Sequence, residues 1–357
     1  MCGTPYGFLP GQPRLKRFGA IYNPEDSHGW IRGFFMSQEK LERRDYDERF
    51  MREALELARR GAGTARPNPM VGAVIVMDGK AVGRGWHERY GQPHAEVNAF
   101  ASARAAGIER FSGATLYVTL EPCCHTGRTP PCVDLVIASG ASRVVCAMED
   151  PNPLVAGKGI KALREAGIEV SVGVLEREAR ALNRAFVKFI TTGLPYVILK
   201  SALSLDGKIA TAQGESKWIS CEESRAEVHR LRAECAAVMT GIGTVLADDP
   251  LLTARCEGAQ SAQGTRIVVD TNLRIPLSSR IVATARETPA IVAVSARTVE
   301  RADGAMRAKL AALEAAGVRV MPIAEREGKV DLAALARALG EDGIDSILLE
   351  AGGNLAW

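Results

Sequence analysis

His94, Cys123 and Cys132 are the residue types that grip a borderline-soft dication. One imidazole and two thiols can close three corners of a zinc tetrahedron and leave the fourth for water. Glu96 follows the imidazole by two residues, in Pro93-His94-Ala95-Glu96. Two thiolates balance the charge of the metal, so water there is less acidified than at an all-imidazole site, and a helper base is needed. Glu96 can supply it, taking a proton from water and passing it to a departing amine. The chemistry is then hydrolysis at an amidine-like ring carbon. A closed structural zinc knuckle is the alternative, with Cys124 or His125 as fourth ligand. Closed sites usually show paired C-x-x-C spacing and need no Glu beside the His.

These residues need elements that aim them. Pro93 suits the first turn of a helix, which would put His94 and Glu96 at its N-terminus and run to Gly107. A strand is expected over 115–120, and Pro130-Pro131 start a helix with Cys132 in its first turn. Helix N-termini carry about half a positive charge, which favours thiolate over thiol. Upstream, Asp45 can cap a helix starting near Tyr46 and continuing through Phe50, Met51, Ala54, Leu55 and Ala58. The apolar run 70–77 reads as a buried strand, Asp78-Gly79 as a hairpin turn, and 82–86 as its return strand. Downstream, 143–148 and 168–172 read as strands, 159–166 as a helix, and 176–190 as one long helix closing the domain. Strands alternate with helices, so the class is α/β with helices packed on a sheet.

A second domain opens at Pro195. Strands are expected over 196–203, 237–240, 266–270, 290–294, 318–322 and 346–350, with helices over 222–237, 241–246, 306–316 and 332–339. No G-x-G-x-x-G follows the first of these strands, so a Rossmann dinucleotide site is not supported.

At 357 residues the chain holds two ordinary domains, and with 46% hydrophobic and 24% charged residues each can bury a core. A net charge of +3 is too small to argue for nucleic acid, and no apolar run is long enough to span a bilayer. Of the eight cysteines, three crowd one loop and the rest are scattered, which fits a metal site in a reducing compartment, the cytoplasm, rather than a disulfide framework. Residues 1–44 read as a poorly structured extension without a secretory signal.

The His-x-Glu and cysteine pattern resembles the cytidine-deaminase-like zinc enzymes, in which a Glu that is not a ligand serves as acid and base. That pattern usually has two residues between its cysteines, whereas eight lie between Cys123 and Cys132. The insert Thr126-Gly127-Arg128-Thr129-Pro130-Pro131, with Pro67-Asn68-Pro69-Met70-Val71-Gly72 and Gly83-Arg84-Gly85-Trp86-His87, resembles one branch, the bifunctional deaminase–reductases of riboflavin biosynthesis. The second half is similar to the same family through 200–208, 214–219 and 240–255. The resemblance implies a cytidine-deaminase-like three-layer domain over 45–190 and a dihydrofolate-reductase-like α/β domain over 195–357, zinc in the first and NADPH in the second.

By the same resemblance, Asn68 and His87 line a pyrimidine pocket while His125 and Arg128 hold a substrate phosphate, and Cys124 is a bystander. Ala202, Trp218, Thr244, Asp248 and Gly352 are implied to contact NADPH. Ser216, Arg232, Leu252 and Arg255 are implied to contact the ribosyl phosphate, with Lys200 and Glu350 near the reacting sugar. A small phosphorylated pyrimidine, no nucleic acid, no membrane and a homo-oligomer are the expected partners. In the family a Glu-x-Gly-Gly turn leads into a helix and further sheet; here the sequence stops at Trp357, so a shortened second domain is expected. A nucleic-acid deaminase would need a basic stripe around the site. A deaminase whose second domain is only a scaffold is the other rival.

Overall fold

β1 (Gly72–Met77) carries no charged residue and is buried on both faces, which places it inside a sheet rather than at its edge. The computed structural model describes residues 38–125, 130–153, 155–213, 215–216, 218–256, 263–350, 352 and 355. The first half runs α1 (Gln38–Arg59), β1, β2 (Lys80–Trp86), α2 (Ala95–Ala105), β3 (Thr115–Val118), α3 (Cys132–Ser139), β4 (Arg143–Cys146), α4 (Lys158–Glu165), β5 (Glu169–Val172), α5 (Glu176–Leu182) and α6 (Arg184–Thr192). The strands form one sheet in the order β2-β1-β3-β4-β5. β1 is antiparallel to both neighbours, and β3, β4 and β5 run parallel.

Strand alternation sorts the side chains into two cores. Ala73, Ile75, Leu116, Val118, Val144 and Cys146 meet residues of α2, α3 and α4 on one face. Val74, Val76, Tyr117 and Val145 meet α1 and Ala179 of α5 on the other. Three layers result, as the period-two pattern requires. The approach of α2 to β2 depends on two missing side chains. A Cβ at Gly83 would come within 2.4 Å of the Ala99 carbonyl oxygen, and one at Gly85 within 2.3 Å of the Ala99 nitrogen. Those glycines let the helix bearing Glu96 settle on the sheet.

Two expectations are corrected here. The first helix begins at Gln38, not near Tyr46, so Asp45 is interior rather than a cap, and part of the expected extension 1–44 is helical. Gln38 to Arg44 are nearly all strong helix formers, which carry the helix back past Asp45. Residues 1–37 of that extension lie outside the described residues. The expected single helix over 176–190 is two, broken at Asn183. Buried Asn183 accepts from the Met70 N–H at 2.8 Å and donates to the Met70 carbonyl at 2.9 Å, fastening the segment that leads into β1.

The second half runs β6 (Tyr196–Lys200), α7 (Glu222–Glu234), β7 (Ala237–Gly241), α8 (Ile242–Asp248), β8 (Thr265–Val269), α9 (Arg280–Ala283), β9 (Ala290–Ser295), α10 (Ala296–Glu300), α11 (Gly304–Ala315), β10 (Val318–Ile323), β11 (Glu325–Arg326), β12 (Lys329–Val330), α12 (Leu332–Glu341) and β13 (Ser346–Glu350). Six strands pair in the order β10-β9-β8-β7-β13-β6, all parallel, and β11-β12 is a small hairpin. Val238, Val268, Val292 and Val294 pack under α8, α9 and α11, while Met239, Ile267, Ile291 and Ala293 pack against α12. Because β13 inserts between β6 and β7, Glu350 falls beside Lys200, and its carbonyl accepts from the Thr240 hydroxyl at 2.6 Å. Carboxyl ends of parallel strands are where such sheets present their ligand crevices.

Candidate active sites

His94 is the N-cap of α2 and Glu96 lies in its first turn. Pro93 therefore stands just ahead of the cap rather than inside the helix. Cys132 opens α3 behind the N-cap Pro131. Cys123 is pinned to that same helix start: its Sγ accepts from the Cys132 N–H at 3.3 Å and its carbonyl from the Val133 N–H at 3.2 Å. His94 Nδ1 lies 3.6 Å from Cys123 Sγ and 3.3 Å from Cys132 Sγ, and the three candidate ligand atoms all fall within 4.8 Å of one another. Among the described residues this is the one His/Cys/Asp/Glu group so arranged. Cys124 packs instead against the apolar core, and His125 is exposed. Arg128 lies outside the described residues.

The electrostatics of this group call for a cation. A hydrogen bond from Cys132 lowers the Cys123 thiol to about 4, with His94 adding to the effect. Cys132 is pushed up by that same contact with Cys123 and by burial. Two sulfurs this close share one proton; a dication lets both ionise. The donor set of one nitrogen and two sulfurs at that spacing fits zinc. Glu96 is 4% exposed, and burial raises its carboxyl to about 7, with Cys123 adding to the rise.

Around this group the structure arranges a polar wall. His87 is buried, and burial lowers its pKa. Its Nδ1–H donates to the Pro93 carbonyl at 3.1 Å, and its Nε2 accepts from Asn68 Nδ2 at 3.1 Å. The His87 and His94 rings meet edge to face, centroids 5.4 Å apart. Both nitrogens of His87 are thus engaged, and the ring orients the Asn68 amide.

Sequence reasoning passed over Glu121. It is buried, and its carboxylate accepts from the N–H groups of Asp150, Gly157 and Ile160 at 3.1, 3.0 and 3.0 Å. It thereby ties the cysteine loop to the loop before α4. The signal was present, since an acidic residue beside a cysteine pair invites a supporting role. Asp150, which burial raises to about 6, faces Cys123 and His125 from that loop.

In the second half, Arg232 on α7 makes a two-pronged pair with Glu350, Nε to Oε1 at 2.5 Å and Nη2 to Oε2 at 2.9 Å, and its Nη1 donates to the Thr253 carbonyl at 3.1 Å. Lys200 Nζ stands 3.8 Å from Glu350 Oε2. Arg255 joins this cluster through His229, whose ring it contacts twice. Leu252 is 4% exposed in the apolar core with Ile242 and Val245, so it can offer a ligand only its main chain, not a side-chain contact. Ser216 and Ala202 make no hydrogen bond with these groups among the described residues.

Of the expected cofactor contacts, Thr244 and Asp248 lie on α8 and Gly352 lies beside Thr244. Its N-cap Gly241 brings no side-chain cap, a Cβ on Gly243 would meet nothing within 4 Å, and one on Gly352 would lie 3.8 Å from Thr244 Oγ1. Trp218 is 72% exposed with the Arg225 guanidinium 4.4 Å from its ring centroid, and Asp248 is exposed at the end of α8. Uncapped amides beside glycine-opened space fit a cofactor that carries phosphates.

Comparison with known proteins gives these geometries their context. The family model described as the cytidine and deoxycytidylate deaminase zinc-binding region matches residues 44–148, and the RibD C-terminal domain matches 195–357. The chain is 47% identical to the riboflavin biosynthesis protein RibD of Actinobacillus pleuropneumoniae over 86% of its length and 78% of the relative's. It is 47% identical to that of Escherichia coli K12 over 87% and 83%. Among solved structures it matches Acinetobacter baumannii RibD with a TM-score of 0.76 at 41% identity, over 88% of this chain and 82% of that one. It matches a Thermotoga maritima diaminohydroxyphosphoribosylaminopyrimidine deaminase/5-amino-6-(5-phosphoribosylamino)uracil reductase with a TM-score of 0.75 at 39% identity, over 87% and 82%. Among the described residues no helix is long and apolar enough to cross a membrane. With a zinc-type deaminase half and a reductase half both in place, the chain belongs to the RibD family of riboflavin biosynthesis, enzymes that deaminate with zinc and reduce with NADPH.

Proposed function

We propose that residues 45–190 deaminate a diaminopyrimidinone bearing a ribosylamino phosphate, and that residues 195–357 reduce its ribosyl group to ribityl. The observation that carries the first half is the meeting of His94 Nδ1 with the two sulfurs at 3.6 and 3.3 Å beside buried Glu96. His94, Cys123 and Cys132 would hold the zinc. When bound, zinc supplies the Lewis acidity that lets water act as a nucleophile near neutral pH. Glu96 takes a proton from the water at its carboxylate and delivers it to the leaving amino group, so that ammonia departs and the carboxylate is restored. Burial that favours the protonated carboxyl lets Glu96 hold the proton between the two transfers. Asn68, its amide nitrogen held by His87, turns its oxygen to the donor edge of the ring. His125 and Arg128 receive the phosphate.

In the second half, Arg232, Arg255, Ser216 and the Leu252 main chain bind the ribosyl phosphate. Glu350, held between Arg232 and Lys200, sits where the sugar reacts. Ala202, Trp218, Thr244, Asp248 and Gly352 would hold NADPH, which supplies the hydride. The test is metal depletion of the whole chain, with both products followed. Ammonia release from the phosphorylated diaminopyrimidinone should vanish with chelation and return with zinc, while NADPH oxidation with the deaminated intermediate persists throughout. Deamination that survives complete zinc removal would sink the first assignment. Ammonia release without any NADPH oxidation would leave the second half a scaffold.

A further inference from the structure

Arg66 stands two residues before Asn68, yet its side chain reaches into the other half of the chain. Its Nε donates to the Gly63 carbonyl at 3.2 Å within its own loop, and its Nη2 donates to the Ala233 carbonyl at 3.5 Å. Ala233 lies in the last turn of α7, next to Arg232. Carbonyls of a last helical turn have no partner within the helix, and they form the negative end of its dipole. A guanidinium gives such a carbonyl both a donor and a positive charge.

Gly63 shows independently that the two halves meet here. Its φ is +75°, and a Cβ on it would fall 2.6 Å from the Ala233 carbonyl oxygen. Only a residue without a side chain lets this loop come so close to the end of α7. The loop is itself held in place. The Thr64 hydroxyl donates to the Glu88 carbonyl at 2.6 Å, and the Tyr90 N–H donates to the Thr64 carbonyl at 3.1 Å. The end of α7 therefore rests on a fixed part of the deaminase half.

Burial lowers the Arg66 pKa, and Asp345, Cys235 and Glu234 offset only part of this. Both of its hydrogen bonds among the described residues go to main-chain carbonyls rather than to a carboxylate. What hangs from that end of α7 explains the placement. The neighbouring Arg232 grips Glu350 with two prongs and the Thr253 carbonyl with a third, so its aim depends on where the last turn of α7 sits.

We propose that Arg66 is a positioning residue of the reductase site, supplied by the deaminase half, which holds the last turn of α7 through the Ala233 carbonyl and so aims Arg232 at the substrate. The proposal rests on the reading of Arg232 given above.

The test is steady-state kinetics of both reactions, with amide hydrogen exchange, on the zinc-loaded full chain. Wild type, Arg66→Met and Arg66→Lys are compared. Methionine keeps an apolar stem of similar length and removes the donors. In Arg66→Met the KM for the deaminated, phosphorylated uracil should rise roughly tenfold with kcat nearly constant, the scale of weakening one hydrogen bond to a charged group. The KM for NADPH should not move, because Thr244 and Asp248 lie on α8 rather than α7. Exchange of the amides of residues 231–235 should quicken roughly tenfold as the turn loosens. Arg66→Lys should recover most of both effects, because an ammonium can still donate to the Ala233 carbonyl. An unchanged KM for the uracil substrate overturns the proposal, whatever the exchange shows. A fall of kcat in both reactions at constant KM means fewer folded molecules, and reduces Arg66 to a stabilising role. A rise confined to the KM of deamination assigns Arg66 to its neighbour Asn68 and also overturns the proposal. A Lys variant as poor as the Met variant removes the donor role. Quickened exchange in a chain that never oxidises NADPH would overturn the reductase reading and leave Arg66 a structural clamp, whereas NADPH oxidation indifferent to Arg66 would overturn the proposal alone.

Discussion

Glu96→Gln should leave zinc content at the wild-type level and lower ammonia release by roughly 10²–10⁴-fold, the usual contribution of a positioned acid–base group. Glutamine keeps the size of the side chain, its place in the first turn of α2 and its burial. What it loses is the ability to accept a proton and give it back. The zinc ligands His94, Cys123 and Cys132 are untouched, so the metal should remain. NADPH oxidation with the deaminated intermediate should be unchanged, because Lys200 on β6, Arg232 on α7 and Glu350 on β13 form their own cluster in the second half. Turnover near wild type would remove Glu96 from proton transfer, and loss of zinc would make it a ligand.

Cys132→Ser should reduce zinc from one ion per chain to a small fraction at low free zinc, and ammonia release should disappear with it. Cys132 is 1% exposed at the head of α3. Serine preserves the backbone N–H that donates to Cys123 Sγ, so the loop should keep its place while the second sulfur is lost. A hydroxyl does not replace a thiolate as a zinc ligand near neutral pH. Metal analysis of the purified variant, read beside the same analysis of Cys124→Ser, separates ligand from neighbour. Cys124 packs on the apolar core, and its variant should bind zinc normally. The opposite pattern would place Cys124 in the metal site.

Much of this site was legible because its chemistry and its elements signal independently. His94 and Glu96 are two apart beside a proline, and Cys132 follows two prolines; those are helix-start signals as well as ligand signals, and the cap positions fell within a residue of expectation. Most strands were readable from apolar runs, down to the boundaries of β13, but β6 ends at Lys200 rather than 203 and the two-residue β11 and β12 carry no apolar run. Other features carried no local signature. Asn183 breaks a helix to serve the Met70 backbone, a contact 113 residues away in sequence. The helices α9 and α10, of four and five residues, are too short to show a period. The start of α1 was missed because a good N-cap residue, Asp45, was read as a boundary when its helix-forming neighbours continue through it.

The most direct test is X-ray absorption at the zinc edge on the zinc-loaded full chain. The account predicts two sulfurs at about 2.3 Å and one nitrogen at about 2.0 Å, with a fourth, lighter scatterer that exchanges with solvent. A shell of three sulfurs, or of four protein ligands with no exchangeable position, would contradict it.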